Sequence, residues 1–180
     1  MLFRSTDEAA GRALAQRLAR PTFRPYASDD VTGAEIGGAV KNVLAIACGV
    51  VAGRKLGENA RAALIARGFA EMVRYGVARG GRAETLSGLS GLGDLVLTCS
   101  STASRNFSLG VGLGEGKAAA LLLGGQTVAE GVFTAPVLQA SARAMGVAMP
   151  VVDAVCALLA GEPADAIVQN LLARPLRGEA

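Results

Sequence analysis

The 180 residues include no histidine and no tryptophan. Without histidine, the commonest general base and the commonest metal ligand are excluded. Any proton transfer must then use lysine, a carboxylate, tyrosine or cysteine. Aromatic residues make up only 4 % of the chain, while alanine, glycine, leucine and valine dominate. A sandwich of strands would want more isoleucine, threonine, tyrosine and phenylalanine, so closely packed helices are expected. The three cysteines, Cys48, Cys99 and Cys156, are odd in number, far apart and without metal-ligand or redox spacing. They read as small buried hydrophobes in a reducing compartment. Strong charge of one sign is also missing: the net charge is +3 and the arginines are scattered. With no basic stripe and no interleaved aromatics, nucleic acid is not an expected partner. The longest apolar run, Val43 to Gly53, is bounded by Asn42 and Arg54, and a membrane-spanning helix needs about 20 apolar residues. The opening MLFRSTDEAA turns polar after three residues, unlike a signal peptide. The expectation is a soluble, cytoplasmic protein with no membrane span.

What is present is a chain long enough for one domain or one and a half, with 51 % apolar residues to build a core. Residues 7 to 19 read as an amphipathic helix capped by Ser5 or Thr6, and PTFRPYASDD as a short extended piece. From residue 33 onward the pattern predicts helices and loops, with no run of strand alternation. Helices are expected over about 34–52 and 58–79, in short pieces over 84–104, from 105, and over about 134–145, 150–160 and 163–173. Thr134 is the expected cap of one, Gly146 and Gly161 are expected stops, Pro150 opens another and Pro175 ends the last. In the third helix Ile65, Phe69, Met72 and Gly76 share one face, and Arg67, Glu71 and Arg74 are expected on a solvated one. No internal repeat appears, and the only composition break lies near residue 30.

The helix GAEIGGAVKNVLAIACGV, residues 33 to 50, carries a lysine at its centre, Lys41, followed by Asn42. Gly37, Gly38, Leu44 and Ala45 are its helical neighbours, and glycines there let a backbone or a ligand come close. Either the stem of Lys41 lies on apolar surface and its amine reaches water, or the amine lines a cleft, where partial loss of hydration makes a lysine a usable acid or base. A second stretch, GLSGLGDLVLTCSSTASRN, spans residues 88 to 106. Its glycines match neither dinucleotide nor P-loop spacing. Asp94 and Thr98 stand one turn apart on one helix face, with Leu95, Val96 and Leu97 expected to bury beside them. Asp94 is either a favourable charge at a helix start or a carboxylate at the boundary of core and cleft. Ser104, Arg105 and Asn106 open a new helix, as a plain capping loop or as an anion site of hydroxyl, guanidinium and free N–H groups. A lysine, a boundary carboxylate and such a helix start together suit a small phosphorylated alcohol or ketone.

These segments, with LGENARAALIARGFAEMVRYGVARGG, VAEGV, MPVVDAV and LLARPLRGE, occur in order from about residue 22 to the end. In that order they resemble the C-terminal substrate domain of NAD(P)-dependent glycerol-3-phosphate dehydrogenases. The resemblance implies an all-α multi-helix domain of the 6-phosphogluconate-dehydrogenase C-terminal-like type over residues 31–180, with residues 1–30 a remnant of a Rossmann nucleotide-binding domain. It implies interconversion of sn-glycerol 3-phosphate and dihydroxyacetone phosphate with NAD or NADP, in service of phospholipid synthesis. Lys41 would be the general acid/base and Asp94 would lie near the reacting hydroxyls. The implied substrate contacts are Lys41, Asn42, Asp94, Thr98, Ser104, Arg105 and Asn106, and the implied cofactor contacts are Arg105, Val128 and Glu130. Val128 and Glu130 rest on the resemblance alone. No G-x-G-x-x-G follows a strand here, so the expected partner is a nucleotide-binding domain outside this chain, and a homodimer is compatible with the pattern. Segment 110–126 is more apolar than the family's usual helix–turn piece. The rival reading is a helical module that binds phosphate metabolites or dimerises without redox chemistry.

Overall fold

The computed structural model describes residues 2–124 and 129–173. It begins with a small β–α–β unit. Strands β1 (Leu2–Arg4) and β2 (Tyr26–Ser28) pair in parallel, with Phe3 opposite Ala27, and helix α1 (Glu8–Leu18) crosses between them. Three-residue strands are too short for alternation to show in the sequence, so only the extended character of the second was legible. The cap of α1 is Asp7 rather than Ser5 or Thr6: its carboxylate accepts from Ala10 N at 2.9 Å, while Ser5 Oγ accepts from Asp7 N at 3.1 Å. Gly11 of α1 rests on Ala27 of β2.

The rest of the described chain is helical and built around one central helix, α2 (Val31–Gly53). Its start is Asp30, whose carboxylate accepts from Gly33 N and from Arg82 N, both at 2.8 Å. This cap places the helix start three residues earlier than the sequence reading. Length and composition alone would suit α2 to a membrane span. In the fold its residues from Val43 to Val50 are all buried by other helices. The neighbours are α3 (Glu58–Ala78), α4 (Ala83–Leu86), α5 (Asp94–Cys99), α6 (Arg105–Gly114), α8 (Glu130–Ala144) and α9 (Pro150–Leu159). Outside them, α7 (Ala119–Leu123) lies against α6 and α10 (Ala164–Leu172) against α9.

The tightest packing joins α2 to α6, where glycines face glycines. A Cβ on Gly110 would lie 2.0 Å from Ile46 O, and one on Gly49 would lie 2.1 Å from Phe107 O. Gly53 and Gly114 repeat the approach one turn on, against Val111 O at 2.3 Å and Val50 O at 2.5 Å. The two backbones are in contact, and neither carbonyl can yield as a side chain would. Gly110→Ala is therefore expected to lower stability by about 1–3 kcal/mol or more, as overpacked cores do. Urea unfolding checks this, and an unchanged midpoint would show that the helices separate freely.

Three expectations are corrected. Glu71 is not on a solvated face: it is 1 % exposed, while Arg67 and Arg74 are exposed. Its carboxylate accepts from Val151 N at 2.8 Å and Val152 N at 3.4 Å, at the start of α9. Pro150 has no N–H, so these are the first free donors of that helix, and an anion suits its positive end. Helix α8 starts at Glu130, not near Thr134, whose hydroxyl instead donates to Glu130 O one turn back at 3.0 Å. Val96 and Leu97 are exposed, and only Leu95 of that trio is buried, because the short α5 docks by one face. Gly146 and Gly161 do end helices, with φ of +67° and +96°. Pro175 and Val128 lie outside the described residues.

Cys48 and Cys99 are buried and Cys156 is half-buried. A hydrogen bond with Cys48 and burial push the Cys99 thiol well up, which suits an inert core residue.

Candidate active site

Asp94 is placed opposite Lys41 by a glycine device. A π turn, Leu89–Gly93, leads directly into α5. A Cβ on Gly37 would lie 2.3 Å from Ser90 O, and one on Gly91 would lie 1.9 Å from Leu86 O. Gly37 lets the π turn press onto α2 one helical turn before Lys41, and Gly91 lets the turn fold back against Leu86 at the end of α4. The consequence is an ion pair, Lys41 Nζ to Asp94 Oδ2, at 2.7 Å. The lysine side chain is 22 % exposed and the aspartate 41 %. The pair therefore sits at the boundary between core and solvent.

Next to Lys41 on α2, Asn42 Nδ2 donates to Gly38 O at 3.3 Å and to Glu130 Oε2 at 3.2 Å. The other oxygen of Glu130 lies 3.8 Å from Arg105 Nη2. One carboxylate thus bridges an amide on α2 and a guanidinium on α6, which shows that these two donors can hold an anion between them. Asn106 is buried, and its Oδ1 accepts from Gly131 N at 2.9 Å. Gly131 must be small there, since a Cβ would lie 2.6 Å from Asn42 O and 2.9 Å from Asn106 Oδ1. Lys41 and Asp94 thus pair between α2 and α5, while Glu130 links Asn42 of α2 to Arg105 of α6 and Asn106 ties α6 to Gly131 of α8. The two polar groups adjoin at the consecutive residues Lys41 and Asn42, a junction of four helices.

Two residues have hydroxyls engaged elsewhere. Thr98 Oγ1 donates to Asp94 O at 2.6 Å, back onto its own helix. Ser104 Oγ caps α6 by accepting from Phe107 N at 3.2 Å. Thr98 thus spends its donor on its own helix, whereas Ser104 accepts at the cap and keeps its hydroxyl hydrogen to donate. Periodicity singles out neither Glu130 nor Gly131. The only local signal was a glycine directly after an acidic residue, which looks like a breaker until the backbone it approaches is known. No group of three or more acidic residues or cysteines capable of holding a metal occurs among the described residues.

The arrangement defines an all-helical domain, headed by a short β–α–β unit, whose polar junction offers a lysine–carboxylate pair and anion donors. Residues 30–169 match the family model described as NAD-dependent glycerol-3-phosphate dehydrogenase C-terminus. Curated relatives include glycerol-3-phosphate dehydrogenase, NAD(P)+, of Novosphingobium aromaticivorans, 68 % identical over 168 residues, covering 92 % of this chain and 51 % of the relative. The protein of the same name from Zymomonas mobilis is 64 % identical over 168 residues, covering 93 % of this chain and 49 % of the relative. Among solved structures, glycerol-3-phosphate dehydrogenase from Coxiella burnetii superposes with a TM-score of 0.88 at 42 % identity, over 95 % of this chain and 53 % of its own. The Plasmodium falciparum enzyme reaches a TM-score of 0.84 at 18 % identity, over 98 % of this chain and 52 % of its own, a likeness of fold alone. The chain belongs to the NAD-dependent glycerol-3-phosphate dehydrogenase family, in its C-terminal part. It spans about half the length of the curated relatives it matches.

Proposed function

We propose that the chain is the substrate-binding and catalytic half of a cytoplasmic dehydrogenase that interconverts sn-glycerol 3-phosphate and dihydroxyacetone phosphate with NAD or NADP. The observation that carries this reading is the Lys41–Asp94 pair at 2.7 Å, at a helix junction that also holds the anion donors Asn42 and Arg105. In oxidation, Lys41 Nζ as the free amine takes the proton of the carbinol hydroxyl. In reduction the same nitrogen, as the ammonium, returns a proton to the carbonyl oxygen. Asp94 holds the amine in line with the reacting oxygen and stabilises its charged form. Arg105, with Asn42 beside it, receives the phosphate end in place of the Glu130 carboxylate.

The nicotinamide group, when bound, supplies the hydride acceptor for oxidation and the donor for reduction. The described residues fit only that end of a dinucleotide. Arg105 and Glu130 carry side chains 56 % and 65 % exposed at the outer edge of the junction, within reach of a group presented by another domain. A glycine loop for the pyrophosphate is not in the sequence, so Lys41 needs a second domain before it can work on a positioned substrate.

Titration of the chain with glycerol 3-phosphate, followed by amide shifts in NMR with glycerol as control, tests the phosphate end. Shifts centred on residues 104 to 107 are expected with the ester and absent with glycerol. Arg105→Lys is expected to weaken binding about tenfold, because an ammonium cannot reproduce the planar fork and about one charge-assisted hydrogen bond is lost. Equal response to both ligands, or unchanged affinity in Arg105→Lys, would remove the phosphate from Arg105.

A further inference from the structure

Gly37 and Gly38 stand side by side in the middle of α2, and glycine destabilises a helix interior relative to alanine. Gly37 has a packing reason, the approach of Ser90 O. Gly38 has none. Among the described glycines of α2, α3, α6 and α8, it is the one at which an added Cβ would meet no heavy atom within 4 Å, apart from its own helix backbone. Its φ is not positive either, so no backbone strain demands glycine. Among the described residues, neither packing nor turn geometry accounts for the glycine.

Its position does. Gly38 lies three and four residues before Lys41 and Asn42, on the same helix face. Helical side chains lean toward the N-terminus, over the turn before their own Cα. The side chains of Lys41 and Asn42 therefore border the bare backbone at Gly38, and Asn42 Nδ2 donates to Gly38 O. The open space has a backbone floor, an amine on one side and an amide on the other. It lies between Lys41, which pairs with Asp94, and Asn42, whose amide reaches on to Glu130.

We infer that Gly38 sets the size limit of the site: its missing Cβ leaves the room in which the reacting carbon and its hydroxymethyl group lie against α2, beside Lys41 Nζ. This rests on the function proposed above and names the residue that determines how bulky that end of the substrate can be. One methyl group added there removes the floor space beside Lys41 while meeting no packed atom of the fold and leaving the Arg105 guanidinium in place.

The test is Gly38→Ala in this chain, measured by thermal unfolding and by NMR titration with glycerol 3-phosphate and, separately, with inorganic phosphate. The melting temperature is expected to rise by about 1–4 °C, as a helical glycine becomes alanine in open space. Affinity for glycerol 3-phosphate is expected to fall by about tenfold or more, the usual cost of one misplaced methyl group in a fitted pocket. Affinity for inorganic phosphate, which occupies only the Arg105 end, is expected to stay unchanged. A raised melting temperature with unchanged glycerol 3-phosphate affinity would overturn the role of Gly38 and leave the proposed function standing. Wild-type chain that fails to bind the ester would overturn both. A lowered melting temperature would show that the space is filled in solution and would also overturn the inference. Equal losses for the ester and for inorganic phosphate would place the effect on the anion site and count against it.

Discussion

Lys41→Met, in this chain joined to a nucleotide-binding half, is expected to lower kcat by about 10²–10⁴-fold, the usual worth of a positioned acid or base. Methionine keeps the unbranched stem on α2 and removes only the proton-carrying nitrogen. The fold should tolerate it: Asp94 loses its partner, but its side chain is 41 % exposed and can be solvated by water. With no histidine in the chain and Asp94 tied to the same task, no neighbouring group among the described residues is placed to take over. Steady-state reduction of dihydroxyacetone phosphate, with thermal unfolding as a control, decides the matter. A variant within about tenfold of wild type and equally stable would mean that the proton goes elsewhere. Without the nucleotide-binding half, neither protein should turn over. Positioning the reacting groups supplies about 7–11 kcal/mol in such reactions, and this chain holds only one side of them.

The second large effect concerns Glu71 and pH. Burial pushes its carboxyl from an ordinary 4.5 up to about 7, outweighing the opposing N–H groups of Val151 and Val152 and the charge of Arg74. The nearby Asp153 acts with burial. Between those two values the folded chain holds a proton that the unfolded chain has released, so this group makes stability fall as pH rises through the window. At about 1.4 kcal/mol per pH unit, the loss is of order 3 kcal/mol. Glu71→Gln mimics the protonated acid and should be immune. Its stability relative to wild type, from urea unfolding, is expected to improve by about 3 kcal/mol between the acid and the neutral end of that window. A difference that stays flat with pH would mean that the α9 donors fully offset burial. A reversed sign would mean that they exceed it.

The contrast between Glu71 and Lys41 shows what kind of feature a sequence can reveal. Both are charged residues on long helices. Lys41 stood out because its whole neighbourhood is small and apolar, so a charge there lacks a local excuse. Glu71 sits among Arg67 and Arg74 at helical spacing, which looks like a solvated face from the sequence. Its true partners are two N–H groups about 80 residues further on, and nothing local to α3 points to them. The same holds for α8. The small size of Gly131 is required by Asn42 O and Asn106 Oδ1, which lie on α2 and α6.

By itself the sequence determined that this protein is helical, that its central helix is apolar around a single lysine, and that these 180 residues offer no histidine. Composition and the 3.6-residue period carry that information within each segment. The ordered motifs also carried the likeness to a dehydrogenase family, Glu130 included. Only the tertiary structure decided which glycines inside α2, α3, α6 and α8 are there for packing and which one is not, since that depends on what stands opposite each missing Cβ. Only it joined Lys41 to Asp94 and let Glu130 bridge Asn42 and Arg105. Lys41 and Asp94 are 53 residues apart and Asn42 and Glu130 are 88 apart, on different helices, and no local pattern specifies a distance across helices. That distance is set by how closely the backbones approach, and here the glycines of α2, α6 and the π turn set it.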